Sequence, residues 1–84
     1  INYEALAVDG TVRTPTVPVN TRMAKAFFRG SNVRITFHGV DPSAVFGIPF
    51  YDGHEDWFSR KELNGLRLIR EGATNGEVHF VYYD

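Results

Sequence analysis

The sequence contains no cysteine, and this absence excludes two kinds of small protein. A chain without thiols forms neither a disulfide framework nor a cysteine-based zinc site. Because small secreted domains commonly rely on disulfide bonds, the absence favours a reducing compartment, and we predict a cytoplasmic location. No apolar run approaches the roughly 18 residues of a membrane-spanning helix, and no segment resembles a signal peptide, so no membrane partner is expected.

The chain also lacks a large net charge, because nine basic and ten acidic residues give a formal charge of −1. This balance argues against general binding of polyanions. The glycines occupy positions typical of turns and form no phosphate-binding loop. The adjacent His54, Glu55 and Asp56 do not have the spacing of metal ligands. We therefore expect no cofactor and no bound metal.

Aromatic residues, in contrast, are abundant: the chain has seven phenylalanines, four tyrosines and one tryptophan. Such side chains favour strands and fill small cores. A chain of 84 residues suffices for one domain with one core. The element order predicts a single α+β domain over residues 1–84, with a largely antiparallel sheet of about five or six strands and one helix packed on one face.

The first predicted hairpin turns at Asp9-Gly10, which separates two extended runs at residues 3–8 and 11–17. Asp-Gly is typical of a two-residue turn because both positions need positive φ. Pro15 cannot donate a ladder hydrogen bond, so the second run is predicted to be an edge strand. An exposed edge strand can pair with the same strand of a second copy, so a homodimer formed by strand addition is a further alternative.

A helix is predicted over residues 20–29, with Asn20 as its N-cap and Gly30 directly after Arg29 as its C′ residue. Its apolar stripe comprises Met23, Ala24, Ala26, Phe27 and Phe28. A second, short helical turn is predicted near residues 59–63, because Ser59 and Glu62 have the spacing of a capping box.

The last predicted element is a β-hairpin that closes the domain over residues 66–83. A five-residue loop at 72–76 would pair Leu68 with Phe80. This register places the apolar residues of both strands on one face, whereas a shift by one residue would separate them. The predicted core-facing residues are Leu66, Leu68, Val78, Phe80 and Tyr82.

An acidic aromatic segment between residues 50 and 57 is the leading candidate for a binding surface. Tryptophan and tyrosine dominate the energetics of protein interfaces, so the segment predicts a non-enzymatic domain that contacts another protein. The alternative interpretation is an ordinary solvated turn flanked by core aromatics. The candidate binding residues are Phe50, Tyr51, Asp52, His54, Glu55, Asp56 and Trp57.

Two other functions remain open. Basic residues spaced along one face of the predicted helix would suit a nucleic-acid-binding module, although such a stripe is usually only the solvated face of an amphipathic helix. The third hypothesis is a small hydrolase or ribonuclease that uses His79 or His54 with a carboxylate such as Glu77. The candidate nucleic-acid-binding residues are Arg22, Lys25, Arg29 and Arg34.

Overall fold

Strands dominate the computed structural model, which describes residues 2–84. The elements are β1 (Asn2–Val8), β2 (Met23–Arg29), β3 (Val33–Thr36), β4 (Ile48–Phe50), β5 (Glu55–Ser59), α1 (Arg60–Asn64), β6 (Arg67–Arg70) and β7 (Gly76–Tyr83). They form a four-stranded sheet in the order β1-β7-β2-β5 and a three-stranded sheet in the order β4-β3-β6. All strand pairs are antiparallel. The α+β class is confirmed, with the strands divided between two sheets.

A single hydrophobic core joins the two sheets. Along each strand, alternate side chains point toward it, as the two-residue period of a strand requires. Phe28 of β2 and Phe50 of β4 meet with ring centroids 4.7 Å apart, so the contact connects one sheet with the other. The core comprises Val8, Ala24, Ala26, Phe28, Val33, Ile35, Phe50, Phe58, Leu63, Leu66, Leu68, Val78, Phe80 and Tyr82.

The prediction of a helix over residues 20–29 is wrong, because residues 23–29 form strand β2. Ala24, Ala26 and Phe28 are buried while the residues between them are not, which is a strand period. Alanine, methionine, lysine and arginine favour helices intrinsically, but pairing with β5 on one side and β7 on the other overrides that preference. Gly30 follows with φ of 89° and forms part of the turn toward β3.

The hairpin predicted at Asp9-Gly10 does not form either. The Asp9 carboxylate accepts hydrogen bonds from Arg13 and from the backbone of Thr11, and these bonds lower the pKa of Asp9 to about 2. The chain then crosses to the three-stranded sheet, where Arg13 exchanges backbone hydrogen bonds with Leu68. Residues 11–17 therefore form no edge strand that could support a homodimer.

The closing hairpin was predicted to pair β6 with β7, and this pairing is wrong. Strand β6 pairs with β3 in one sheet, and β7 lies between β1 and β2 in the other. The predicted alternation of faces is nevertheless confirmed, because all five core-facing side chains are buried. A tight hairpin is therefore unnecessary for this pattern. Both strands need only one apolar face toward the shared core.

The short helical turn is confirmed as α1. The Ser59 hydroxyl accepts from the Glu62 backbone N–H, and the Glu62 carboxylate accepts from the Ser59 N–H, so the capping box is complete. Phe58 and Leu63 on either side of the cap are both buried, and Gly65 ends the helix. These contacts fix the turn between β5 and β6.

One tyrosine of the core is expected to make the stability of the fold depend on pH in the alkaline range. Burial, together with a 2.6 Å hydrogen bond to Glu4, raises the pKa of Tyr82 above its usual range. The unfolded tyrosine loses its proton above about pH 10 while the folded one keeps it, so stability is present below that pH and is lost above it. We expect the free energy of unfolding to fall by up to about 1.4 kcal/mol per pH unit there.

Urea titrations between pH 8 and pH 11.5 test this expectation. Tyr82→Phe should flatten the alkaline decline, whereas Tyr51→Phe at an exposed position should leave it unchanged. An equally steep decline in Tyr82→Phe would contradict the assignment, because another group would then be responsible.

Candidate functional site

The outer face of the four-stranded sheet carries aromatic and charged side chains in regular register. The face turned away from the core is formed by alternate residues of its strands. The cross-strand register places Tyr3, Val81, Lys25 and Trp57 in one row across all four strands. The outer face comprises Tyr3, Ala5, Ala7, Met23, Lys25, Phe27, Arg29, Glu55, Trp57, Ser59, Glu77, His79, Val81 and Tyr83.

At one end of this face, Trp57 forms a cluster with Lys25 and Tyr83, which we call the Trp57 cluster. Trp57 is 50% exposed, and the centroid of its ring lies 5.6 Å from that of the Tyr83 ring. The Lys25 ammonium lies 5.5 Å from the Trp57 centroid and 3.3 Å from the Glu55 carboxylate. These contacts hold an exposed tryptophan in a defined position.

At the other end, a hollow of about 400 Å³ is lined by Tyr3, Phe27, Arg29 and His79. Its surface is mostly apolar, and we call it the polar hollow after the hydroxyl, guanidinium and imidazole groups at its wall. The His79 ring is hydrogen-bonded on both sides: Nδ1 to the Tyr3 hydroxyl and Nε2 to a carboxylate oxygen of Glu77. The ring therefore lies between a hydroxyl and a carboxylate, and the direction of each hydrogen bond depends on which ring nitrogen carries the proton.

The shape of the polar hollow follows from small residues on the neighbouring edge strand. Ala5 lies opposite His79, and Ala7 lies opposite Glu77, so β1 covers neither side chain. Arg29 lies opposite Glu77 on the other side and is exposed. Its guanidinium makes no ion pair within the described residues 2–84.

The predicted acidic aromatic segment is divided between several environments. Phe50 is only 8% exposed and packs in the core, whereas Tyr51 is 59% exposed in the loop that follows β4. Asp52 accepts a 2.9 Å hydrogen bond from the Gly30 N–H, so its carboxylate ties two loops together. The first half of the segment thus forms part of the connection between the two sheets.

The second half of the segment lies on or beside β5. His54 packs edge-on against Phe50 with centroids 5.0 Å apart, and its Nε2 lies 3.8 Å from the Asp56 carboxylate. Asp56 lies opposite buried Ala26, on the face of edge strand β5 that is turned toward the core. Of the predicted binding residues, the sheet brings only Glu55 and Trp57 together on the outer face.

The predicted basic residues separate in the same way. Lys25 and Arg29 share the outer face of β2, as they would have shared one face of a helix. Arg22 precedes the strand and is exposed, with its N–H bonded to the Tyr83 carbonyl. Arg34 lies in the other sheet, where it donates to the Glu71 carboxylate at 2.9 Å.

The structure shows neither a membrane-spanning helix nor a metal-ligand cluster over residues 2–84. No helix there is long and apolar enough to cross a membrane. No group of three or more histidine and acidic side chains in this range is arranged to hold a metal ion.

Comparison of the chain with protein-family models, curated proteins and solved structures finds no match. The geometry of the site is therefore the basis on which a function can be proposed.

Sequence reasoning missed Tyr3, Phe27 and Tyr83 as members of a common surface. The alternation along β2 is the signal that could have identified part of it, because a strand places Lys25, Phe27 and Arg29 on one face. Tyr3 and Tyr83 join this face only through the pairing of β1 and β2 with β7. That pairing joins distant parts of the chain and leaves no local signal.

Proposed function

We propose that this protein is a binding domain that contacts another protein through the Trp57 cluster. The observation that carries the proposal is a half-exposed tryptophan held in place by Tyr83 and Lys25. An aromatic anchor that is already ordered loses little conformational freedom on binding, which favours affinity. Tryptophan and tyrosine are also the side chains that most often dominate protein interfaces.

The charge of the outer face favours a protein partner over nucleic acid. Its two basic side chains, Lys25 and Arg29, are balanced by the carboxylates of Glu55 and Glu77, and Lys25 is already paired with Glu55. A balanced face gains little from the release of counterions that drives nucleic-acid binding. The fitting partner therefore presents an apolar or aromatic side chain to Trp57 and a carboxylate to Lys25 or Arg29.

Trp57 itself reports binding, because it is the single tryptophan of the chain. A partner identified by affinity capture should be purified and titrated into the protein while tryptophan emission is recorded. We expect a shift to shorter wavelength on binding. Trp57→Ala should weaken the affinity measured by calorimetry by about 30-fold, equivalent to about 2 kcal/mol.

Tyr51→Ala separates this proposal from the original prediction of the whole segment, since Tyr51 is an equally exposed aromatic residue outside the sheet face. We expect it to change the affinity less than threefold. Full affinity in Trp57→Ala, with the fold intact by circular dichroism, would remove the Trp57 cluster as the binding surface.

Nucleic acid is the second candidate, because Lys25 and Arg29 alternate with Phe27 on β2 and Trp57 lies alongside. Basic groups interleaved with exposed rings are typical of surfaces that stack single-stranded bases. This function predicts quenching of Trp57 by an oligothymidylate at low salt, with an affinity that falls steeply as salt rises. A protein partner alone predicts no quenching by the oligonucleotide.

The cytoplasmic location expected from the lack of cysteine stays a prediction.

A further inference from the structure

A hydroxyl and a base line the polar hollow, and a carboxylate lies behind the base, so that the three groups stand in series. In the neutral tautomer with the proton on Nε2, His79 accepts from the Tyr3 hydroxyl at Nδ1 and donates to Glu77 from Nε2. A nucleophile bonded to a base that is itself oriented by a third group is the recurring arrangement of covalent catalysis. The sequence placed His79 and Glu77 two positions apart, but only the pairing of β1 with β7 supplies the hydroxyl.

The charge and lining of the polar hollow indicate the kind of ester that fits. The Arg29 guanidinium at its wall matches the geometry and charge of a phosphate group. An acyl-transfer site would need free backbone N–H donors, but β7 is bonded on both sides to β1 and β2. The rings of Phe27 and Tyr3 offer flat apolar surface for an aromatic or nucleoside substituent.

We propose that the polar hollow is a phosphoryl-transfer site that acts on phosphate diesters with an aromatic or nucleoside substituent. Tyr3 Oη attacks the phosphorus and forms a new P–O bond, while its proton passes to His79 Nδ1. The bond from phosphorus to the leaving oxygen breaks, and that oxygen takes the proton from His79. Water then attacks the phosphotyrosyl ester with His79 as base, which releases the phosphate monoester and restores Tyr3.

The remaining residues have distinct roles in this step. Arg29 stabilises the negative charge that develops on the phosphoryl oxygens. Glu77 is a positioning residue, because it contacts His79 and fixes the ring with Nδ1 toward Tyr3. The proposal goes beyond protein binding and uses the opposite end of the outer face from the Trp57 cluster.

The experiment measures phenolate release from the p-nitrophenyl ester of thymidine 5′-monophosphate, together with the intact mass of the protein during turnover. We expect release above the buffer rate and a phosphotyrosyl adduct. Tyr3→Phe should abolish the adduct, and Tyr3→Phe and His79→Gln should each lower the rate by about 100-fold or more. Glu77→Gln should lower kcat while KM stays unchanged.

The matched control is His38→Gln, which makes the same change at an exposed histidine in the turn after β3. Thermal melting should show that all variants remain folded, because the substituted groups lie outside the core. Release that persists in Tyr3→Phe would overturn the proposal, since it would come from another site or a contaminant. The absence of release from the folded wild-type protein would also overturn it. Neither result bears on binding through the Trp57 cluster.

Discussion

Phe28→Ala is expected to lower the free energy of unfolding by about 3 to 5 kcal/mol. Phe28 is fully buried and meets Phe50 across the two sheets with ring centroids 4.7 Å apart. Removing the ring leaves a cavity that neither sheet can fill, because both backbones are held by their ladders. A domain of this length has a total stability of roughly 4 to 12 kcal/mol, so the loss removes at least about a quarter of it.

The neighbouring residue provides the control for this prediction. Phe27 lies on the outer face of the same strand, where its side chain is only partly buried. Phe27→Ala removes the same number of atoms but should cost about 1 kcal/mol. Chemical denaturation followed by circular dichroism measures both variants. Similar losses at the two positions would contradict the assigned faces of β2.

Gly65→Ala is expected to lower the free energy of unfolding by about 3 kcal/mol, for the opposite reason. A Cβ atom at Gly65 would lie 2.6 Å from the backbone nitrogen of His38 and 2.9 Å from that of Gly39. The two chain segments are already joined by a 3.0 Å hydrogen bond from the Gly39 N–H to the Gly65 carbonyl. His38 has a left-handed φ of 62°, so the crowded turn has little freedom to move away.

Gly72→Ala is the matched control, because a Cβ atom there would have no neighbour within 4 Å. We expect this variant to remain within about 0.5 kcal/mol of the wild type, as surface substitutions usually do. Urea denaturation at neutral pH provides the comparison. If Gly65→Ala proves as stable as Gly72→Ala, the close approach between the turn after β3 and the end of α1 does not exist in solution.

Local patterns predicted part of this fold well. The alternation along β7 identified its buried face, and the capping box of Ser59 and Glu62 identified α1. Both features depend on residues only a few positions apart, so the sequence contains them in full. The secondary structure of β2 was predicted wrongly because the segment MAKAFFR favours a helix in isolation. Its pairing with the neighbouring strands of the sheet makes it a strand instead.

The candidate site was less predictable, because it depends on which strands become neighbours. Trp57 was identified from its residue type, but its contact with Tyr83 requires β5, β2 and β7 to lie side by side. The polar hollow requires β1 beside β7, whereas the sequence suggested a partner for each strand nearby in the chain. Pairing between distant strands depends on the whole core and on no single motif.

The position of β7 at the centre of its sheet has a consequence for the order of folding. Its partner β1 is the first strand of the chain, and the pairing joins Asn2 to Tyr82. Strands β1 and β2 have no central strand between them until β7, which is far away in the sequence, joins the sheet. We therefore expect folding to be slow, on the scale of milliseconds to seconds typical of small β proteins with mostly non-local contacts.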